Sequence, residues 1–241
     1  MGIKEHYDNF LGAIYSWTKG DFSDCVKECE QYFIENGINS NNDLLAIDLG
    51  CGNGIQSVAL AKRGYKVISV DFNKQLLIEL YQNKKELPIL IVENDIFSYL
   101  SNSRDLMPEV IVCMGDTLSH FDTFDELRTL FVTCYKMLTP GGKFIISYRD
   151  YSNALHGNSR FVNVRSDEYR IFSCFLEYFE TTVGVTDILY EFNNGRWTQL
   201  VSSYKKLRIT GNDIQQWLKD TGFKQISSRT VNRMIHMILE K

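Results

Sequence analysis

Ile47-Asp48-Leu49-Gly50-Cys51-Gly52-Asn53-Gly54 is the stretch whose reading decides the fold. The apolar run Leu44 to Leu49 reads as a buried strand, and Ile55 to Arg63 has helical periodicity. That helix stops at Gly64, a favoured residue just past a helix end. A glycine-rich turn between a strand and a helix lets the backbone approach a ligand closely. A dinucleotide fingerprint opening at Gly50 would need its third glycine at position 55. That position is Ile55; the glycines are instead Gly50, Gly52 and Gly54, and an acid, Asp48, precedes them.

Outward from the turn, apolar runs alternate with helical patterns. Lys66 to Val70, Ile89 to Val92, Glu109 to Met114 and Lys143 to Tyr148 read as strands. Asn73 to Lys84 reads as a helix, and Thr123-Phe124-Asp125-Glu126 has capping-box spacing. Behind that cap, Phe124, Leu127, Leu130, Phe131, Cys134 and Leu138 form one apolar face, which Pro140-Gly141-Gly142 ends. Strands alternating with helices predict an α/β, doubly wound, mostly parallel seven-stranded sheet. The first residues read as helical, with a cap at Asp21-Phe22-Ser23-Asp24 opening a helix towards Gly37, and Asn39 to Asp43 as a polar linker. After Tyr148 the pattern changes to strands at Ile171–Phe179, Val183–Phe192 and Arg196–Leu207, with a hairpin turn at Asn193-Asn194-Gly195. These form an antiparallel β insertion after the fifth strand. Thr210 opens a last helix, and Phe223–Val231 and Met234–Leu239 close the sheet. The expected organisation is one domain: residues 1–40 a helical cover, 41–150 the ligand-binding core, 151–209 the insertion, and 210–241 the closing helix and hairpin.

Acids stand at the ends of neighbouring strands, where open α/β sheets bind ligands. Asp71 closes the second strand and can accept two ribose hydroxyls; Phe72 beside it can pack on adenine. Asp95, after the third strand, can accept from an adenine amino group. Asp48 can organise an ammonium group. A pyrophosphate would need the glycine turn aimed at a helix N-terminus, whereas a sulfonium amino acid needs close backbone approach and a nearby acid. Each acid alone is equally a solvated strand end; the ordered set predicts an adenosyl ligand without a phosphate.

These residues resemble the class I S-adenosylmethionine-dependent methyltransferases. The resemblance rests on Ile47 to Gly54, Val70-Asp71, Asn94-Asp95-Ile96 and Leu138-Thr139-Pro140-Gly141-Gly142. It covers Leu44 to Tyr148 and, more loosely, the closing hairpin. Val112-Cys113-Met114-Gly115-Asp116-Thr117-Leu118-Ser119-His120 and Ser147-Tyr148-Arg149-Asp150-Tyr151 are similar to motifs of glycine and sarcosine N-methyltransferases. So are Tyr7-Asp8-Asn9-Phe10 and Tyr15-Ser16-Trp17, which match their cofactor-covering segment. Asp116 stands where that family has asparagine. The resemblance implies a Rossmann-like methyltransferase fold and S-adenosyl-L-methionine as cofactor, with S-adenosyl-L-homocysteine as product. It implies Tyr15, Trp17, Asp48, Gly50, Cys51, Gly52, Gly54, Asp71, Phe72, Asp95, Ile96, Met114 and Gly115 as the cofactor set. Arg149, with Tyr148 and the insertion's Arg160, would hold a small-molecule acceptor, an amine of a carboxylate-bearing metabolite.

Methyl transfer is an in-line displacement with a neutral leaving group, so positioning and desolvation carry most of the rate. His120, just beyond the fourth strand, is the best general-base candidate; equally, it can cap a loop or line the pocket. Arg149 can hold a carboxylate by a bidentate pair, or pair structurally with Asp150 or Asp116. Tyr15 and Trp17 can close over the sulfonium or simply pack a helix. Two other readings stay open: a nicotinamide-dependent oxidoreductase, which Ile55 argues against, and a non-catalytic cofactor-binding module.

Composition sets the outer bounds. The chain has 241 residues, 44% hydrophobic and 13% aromatic, enough for a sizeable core. A net charge of −4 and no basic stripe predict no nucleic-acid partner. The basic cluster Tyr204-Lys205-Lys206-Leu207-Arg208 reads as the exposed face of a strand. The six cysteines match no zinc pattern, so no metal is expected; Cys25 and Cys29 share a helix face, and Cys113 and Cys134 suit buried thiols of a reducing compartment. No run reaches the ~20 apolar residues of a membrane span, and Met1 to His6 is polar. A cytoplasmic protein is expected, with its state as a monomer or homo-oligomer left open.

Overall fold

The apolar runs become five parallel strands, buried on both faces except at the edge strand Ile89–Glu93, whose Leu90 is exposed. The computed structural model describes residues 2–40, 44–231 and 233–241. The chain opens with α1 (Ile3–His6), a wide π-type turn over Tyr7–Leu11, α2 (Gly12–Lys19) and α3 (Phe22–Glu35). The core follows as β1 (Leu45–Leu49), α4 (Ile55–Lys62), β2 (Lys66–Asp71), α5 (Lys74–Lys84), β3 (Ile89–Glu93), α6 (Ile96–Asn102), β4 (Val110–Cys113), α7 (Phe124–Met137) and β5 (Lys143–Arg149). Next come β6 (Phe161–Ser166), β7 (Arg170–Tyr178), β8 (Thr182–Asn193) and β9 (Arg196–Leu207). Then α8 (Gly211–Thr221), β10 (Lys224–Val231) and β11 (Met234–Glu240) close the chain.

The main sheet has seven strands in the order β10-β11-β5-β4-β1-β2-β3. β1 to β5 run parallel, and β11 pairs antiparallel with β5. The strand order reverses between β1 and β4, so a crevice opens above their carboxyl ends. β1 shows why both faces must be covered. Ala46 packs with Val26, Phe33 and Leu60 on the α3–α4 side, while Ile47 packs with Leu130, Phe131 and Leu218 on the α7–α8 side. Side chains of period two therefore meet helices on either face.

The expected helix starts are set by side-chain caps. Asp21 accepts from Asp24 N, Asn73 from Leu76 N, and Thr123 with Glu126 forms the capping box. Two elements exceed the expectation. α6 is only seven residues, IFSYLSN, too short for its periodicity to stand out. β6 lengthens the insertion to a four-stranded antiparallel sheet, β6-β7-β8-β9. Of the linker read at Asn39–Asp43, residues 41–43 lie outside the described residues. No helix among the described residues is long and apolar enough to cross a membrane.

Candidate active site

The turn after β1 is folded against β2, with Gly50 N and Cys51 N both donating to Val70 O. Gly50 sits at φ +72°, and a Cβ there would come within 2.7 Å of Thr117 Cγ2. The turn thus needs a bare backbone to pass under the loop that follows β4. Gly54 has a different reason. Its φ is +92°, and a Cβ would overlap Leu80 Cδ1 of α5, so this glycine serves helix packing rather than a ligand. Gly50 and Gly52 line the cleft above the sheet; Gly54 and Cys51 do not.

The three acids divide by burial. Asp71 joins the cleft wall, its Oδ2 accepting from Gly52 N at 2.8 Å and its Oδ1 from Asn73 N at 2.8 Å. The carboxylate keeps acceptor capacity for a further donor. Burial pushes the Asp71 carboxyl up, against those hydrogen bonds. Asp95 caps α6 by accepting from Ser98 N; burial raises its carboxyl, but its several hydrogen bonds together hold it below the usual carboxylate range. Asp95 and Ile96 line the far end of the cleft. Asp48 is elsewhere: 1% exposed, it accepts from Ser57 Oγ at 2.5 Å, and Ser57 in turn accepts from Ser69 Oγ. Desolvation drives its carboxyl up to about 7, although the Ser57 hydroxyl opposes this.

The cleft encloses about 410 Å³, within the range of ~300–1,000 Å³ usual for small-molecule sites. Its roof is the N-terminal cover. Tyr7 and Tyr15 reach into it, and a Cβ added at Gly52 would meet the Tyr15 ring at 3.4 Å. The cover is tied down by Asn73 Nδ2 donating to Asp8 Oδ1 at 2.9 Å and Asn53 Nδ2 to Ser16 Oγ at 2.8 Å. Phe72 meets Tyr7 edge-on at 5.7 Å. Trp17 is not on the cleft. Its Nε1 donates to Asp167 Oδ2 at 2.6 Å, and Arg165 and Arg170 flank its ring, so it joins the cover to the antiparallel sheet.

Beyond β4, Gly115 and His120 line the cleft while Met114 lies buried beneath it. His120 ends a short helical turn, Thr117–His120, that Asp116 opens from a left-handed φ of +77°. Asp116 is buried. Its Oδ1 accepts from Arg149 N at 2.9 Å, and its Oδ2 accepts from Lys206 Nζ at 2.9 Å and Tyr151 OH at 3.3 Å. Lys206 therefore contradicts the reading of its cluster as an exposed strand face. Alternation along β9 turns Lys205 outward and Lys206 inward, leaving the Lys206 side chain 8% exposed. The remaining acceptor candidates are dispersed. Tyr148 is fully buried, its hydroxyl 3.6 Å from Met237 Sδ. Arg160 lies on the Phe175 ring, away from the cleft. Arg149 is exposed at the end of β5, with its charge felt at Tyr151 and Cys174, and no described residue accepts from its guanidinium.

Residues 47–146 match the family described as a methyltransferase domain. A glycine/sarcosine N-methyltransferase of Parasynechococcus marenigrum is 22% identical over 184 residues, 76% of this chain and 64% of that protein. An S-adenosylmethionine-dependent methyltransferase from Clostridium acetobutylicum superposes with a TM-score of 0.71 at 18% identity, over 98% of this chain and 96% of that one. Over residues 47–146 the chain matches a methyltransferase domain, and along nearly its whole length it shares the fold of solved S-adenosylmethionine-dependent methyltransferases. The sugar N-methyltransferase KedS8 of a Streptoalloteichus species shares the fold, with a TM-score of 0.72 at 12% identity over 97% of this chain and 93% of that one. The match thus spans just under two thirds of the curated relative's length.

The cleft is fit for S-adenosyl-L-methionine on its own geometry. The bare turn at Gly50 and Gly52, the spare acceptor capacity of Asp71 and the apolar pair Phe97–Phe121, 5.2 Å apart, can hold ribose and base. Tyr7, Thr117 and Lys206 were absent from the expected site. Tyr7 had a signal, since its motif resembles a cofactor-covering segment. Lys206 had none, being paired with a residue 90 positions away.

Proposed function

We propose that this methyltransferase moves a methyl group from S-adenosyl-L-methionine to an amine nitrogen of a small, carboxylate-bearing metabolite. The observation that carries this reading is the cleft running from the glycine turn to His120; the Arg149 guanidinium, at the exposed end of β5, lies outside its lining and is free to take a carboxylate. Names of the relatives, glycine/sarcosine N-methyltransferase among them, support the nitrogen acceptor.

Asp71 takes the ribose hydroxyls, Asp95 and Ile96 take the base, and Tyr15 covers the methionine part. Asp48 acts from below, through the turn it supports. S-adenosyl-L-methionine supplies an electrophilic methyl carbon. The acceptor nitrogen forms the N–C bond as the C–S bond breaks, and that electron pair stays on sulfur. The nitrogen, now an ammonium, gives its proton to water or to the His120 imidazole. Arg149 takes the acceptor carboxylate, and Tyr7 and His120 border the reacting nitrogen.

Calorimetry with S-adenosyl-L-methionine is expected to show one site, and absence of binding at millimolar cofactor would defeat the reading. With an active amino-acid acceptor, Arg149→Ala is expected to raise KM about tenfold or more, the loss of a charge-assisted pair. An unchanged KM would remove the carboxylate from the proposal, and turnover confined to hydroxyl acceptors would remove the amine.

A further inference from the structure

A lysine ammonium and a carboxylate buried together are costly unless geometry and further hydrogen bonds compensate. The Lys206–Asp116 pair has that geometry. Asp116 takes three donors, from Lys206, Tyr151 and the Arg149 backbone. Lys206 also lies 4.9 Å from the Tyr151 ring centroid. The pair sits directly behind the turn that delivers His120 to the cleft. Ser119 N and Oγ both bond back to Asp116 O, so the turn is wound on Asp116 itself. From the β5 side, Ser147 Oγ accepts from Gly115 N at 2.8 Å. β9 reaches the turn from above through Lys206 alone as an ion-pair partner, among the described residues.

We propose that Lys206 is a positioning residue for methyl transfer: gripping Asp116, it fixes the turn that carries His120 and keeps the His120 imidazole uncharged beside the acceptor. This rests on the nitrogen-acceptor reading for its chemical purpose, because an uncharged imidazole can accept a proton from the methylated nitrogen and a charged one cannot. No described side chain hydrogen-bonds the His120 ring, whose neighbours are the edges of Tyr7 and Tyr204 at 5.8 and 6.2 Å. The titratable groups facing it are Asp116 on its own turn, Lys206 and Tyr204 on β9, Tyr7 and His6 from the cover, and Lys19 at the end of α2. Desolvation and then Lys206 lower the imidazole, Asp116 opposes them, and the result is a value of about 4. Burial disfavours charge on Lys206, but Asp116, Tyr151 and Tyr204 together outweigh it and hold the ammonium protonated.

The test is a pH titration of the four histidine imidazoles by long-range proton–nitrogen NMR on the full chain, with His120 assigned by His120→Gln. In the unaltered protein His120 is expected to titrate near its shifted value of about 4. Lys206→Met is expected to move that midpoint up by about one pH unit or more, and Lys206→Arg to restore it. An ordinary midpoint in the unaltered protein, or one indifferent to Lys206→Met, overturns the proposal. If Lys206→Met unfolds, the Asp116→Asn/Lys206→Met protein removes both charges together; a smaller upward shift supports the role and no shift overturns it. The titration needs no acceptor, so failure of the amine panel and failure of this inference are read separately.

Discussion

The Asp48 carboxyl lies in the core rather than on the cleft, and its folded-state value of about 7 stands well above its ordinary 3.8. Between those two values the folded protein holds a proton that the unfolded chain has released. Stability from this group is therefore complete below about pH 4 and falls as pH rises through 7, by roughly 4 kcal/mol at most. Asp48→Asn is expected to flatten that slope. Thermal unfolding of the ligand-free protein at about pH 5 and about pH 8 checks it, and an equal slope in the variant would refute burial as its source. Asp48 was legible as important from its place before the glycines. Its hydroxyl partner was not, because Ser57 and Ser69 reach it through the packing of α4 on two strands. Gly54 teaches the same lesson: the position is visible in sequence, whereas the Leu80 methyl that demands it belongs to another helix.

A buried histidine also fastens the cover to the antiparallel sheet. His6 of α1 is fully buried, with Nε2 3.1 Å from Asp187 Oδ2 of β8 and Nδ1 2.7 Å from Ser202 Oγ of β9. Its ring stacks on Tyr204 at 4.2 Å and on Phe10 at 5.4 Å. His6→Ala leaves the buried Asp187 without this partner and opens a void, at a cost on the order of 1–3 kcal/mol. Because the same segment carries Tyr7 and Tyr15 over the cleft, the variant is expected to bind S-adenosyl-L-methionine about tenfold more weakly and to melt at lower temperature. Calorimetry and thermal unfolding decide it; unchanged cofactor affinity would separate the cover from the clasp. The alternating core strands and capped helices were readable because each carries its own apolar period and its own cap. His6, Trp17 and Lys206 were not, since their partners lie far along the chain and no local pattern marks them. β6, exposed or half-buried along its whole length, has no continuous apolar face to betray it.

Taken whole, the molecule is two sheets that share no strand, bridged by the cover and by the loop after β4. The seven-stranded sheet presents Gly50, Gly52 and Asp71 to the cleft. The antiparallel sheet brings Lys206 and Tyr204 against the turn that carries His120, while α1 and α2 belong to both through His6, Trp17 and Tyr15. That shared membership decides how such a protein can be re-engineered or can diverge. The stretch 161–207 is not a cassette that can be exchanged alone, because its inner surface is shaped to the chain's opening turns. A chimera that imports a relative's insertion is expected to lose thermal stability and cofactor affinity unless residues 3–19 travel with it. Matched and mismatched transplants, compared by melting and calorimetry, would show whether the opening helices and the insertion are inherited as one part.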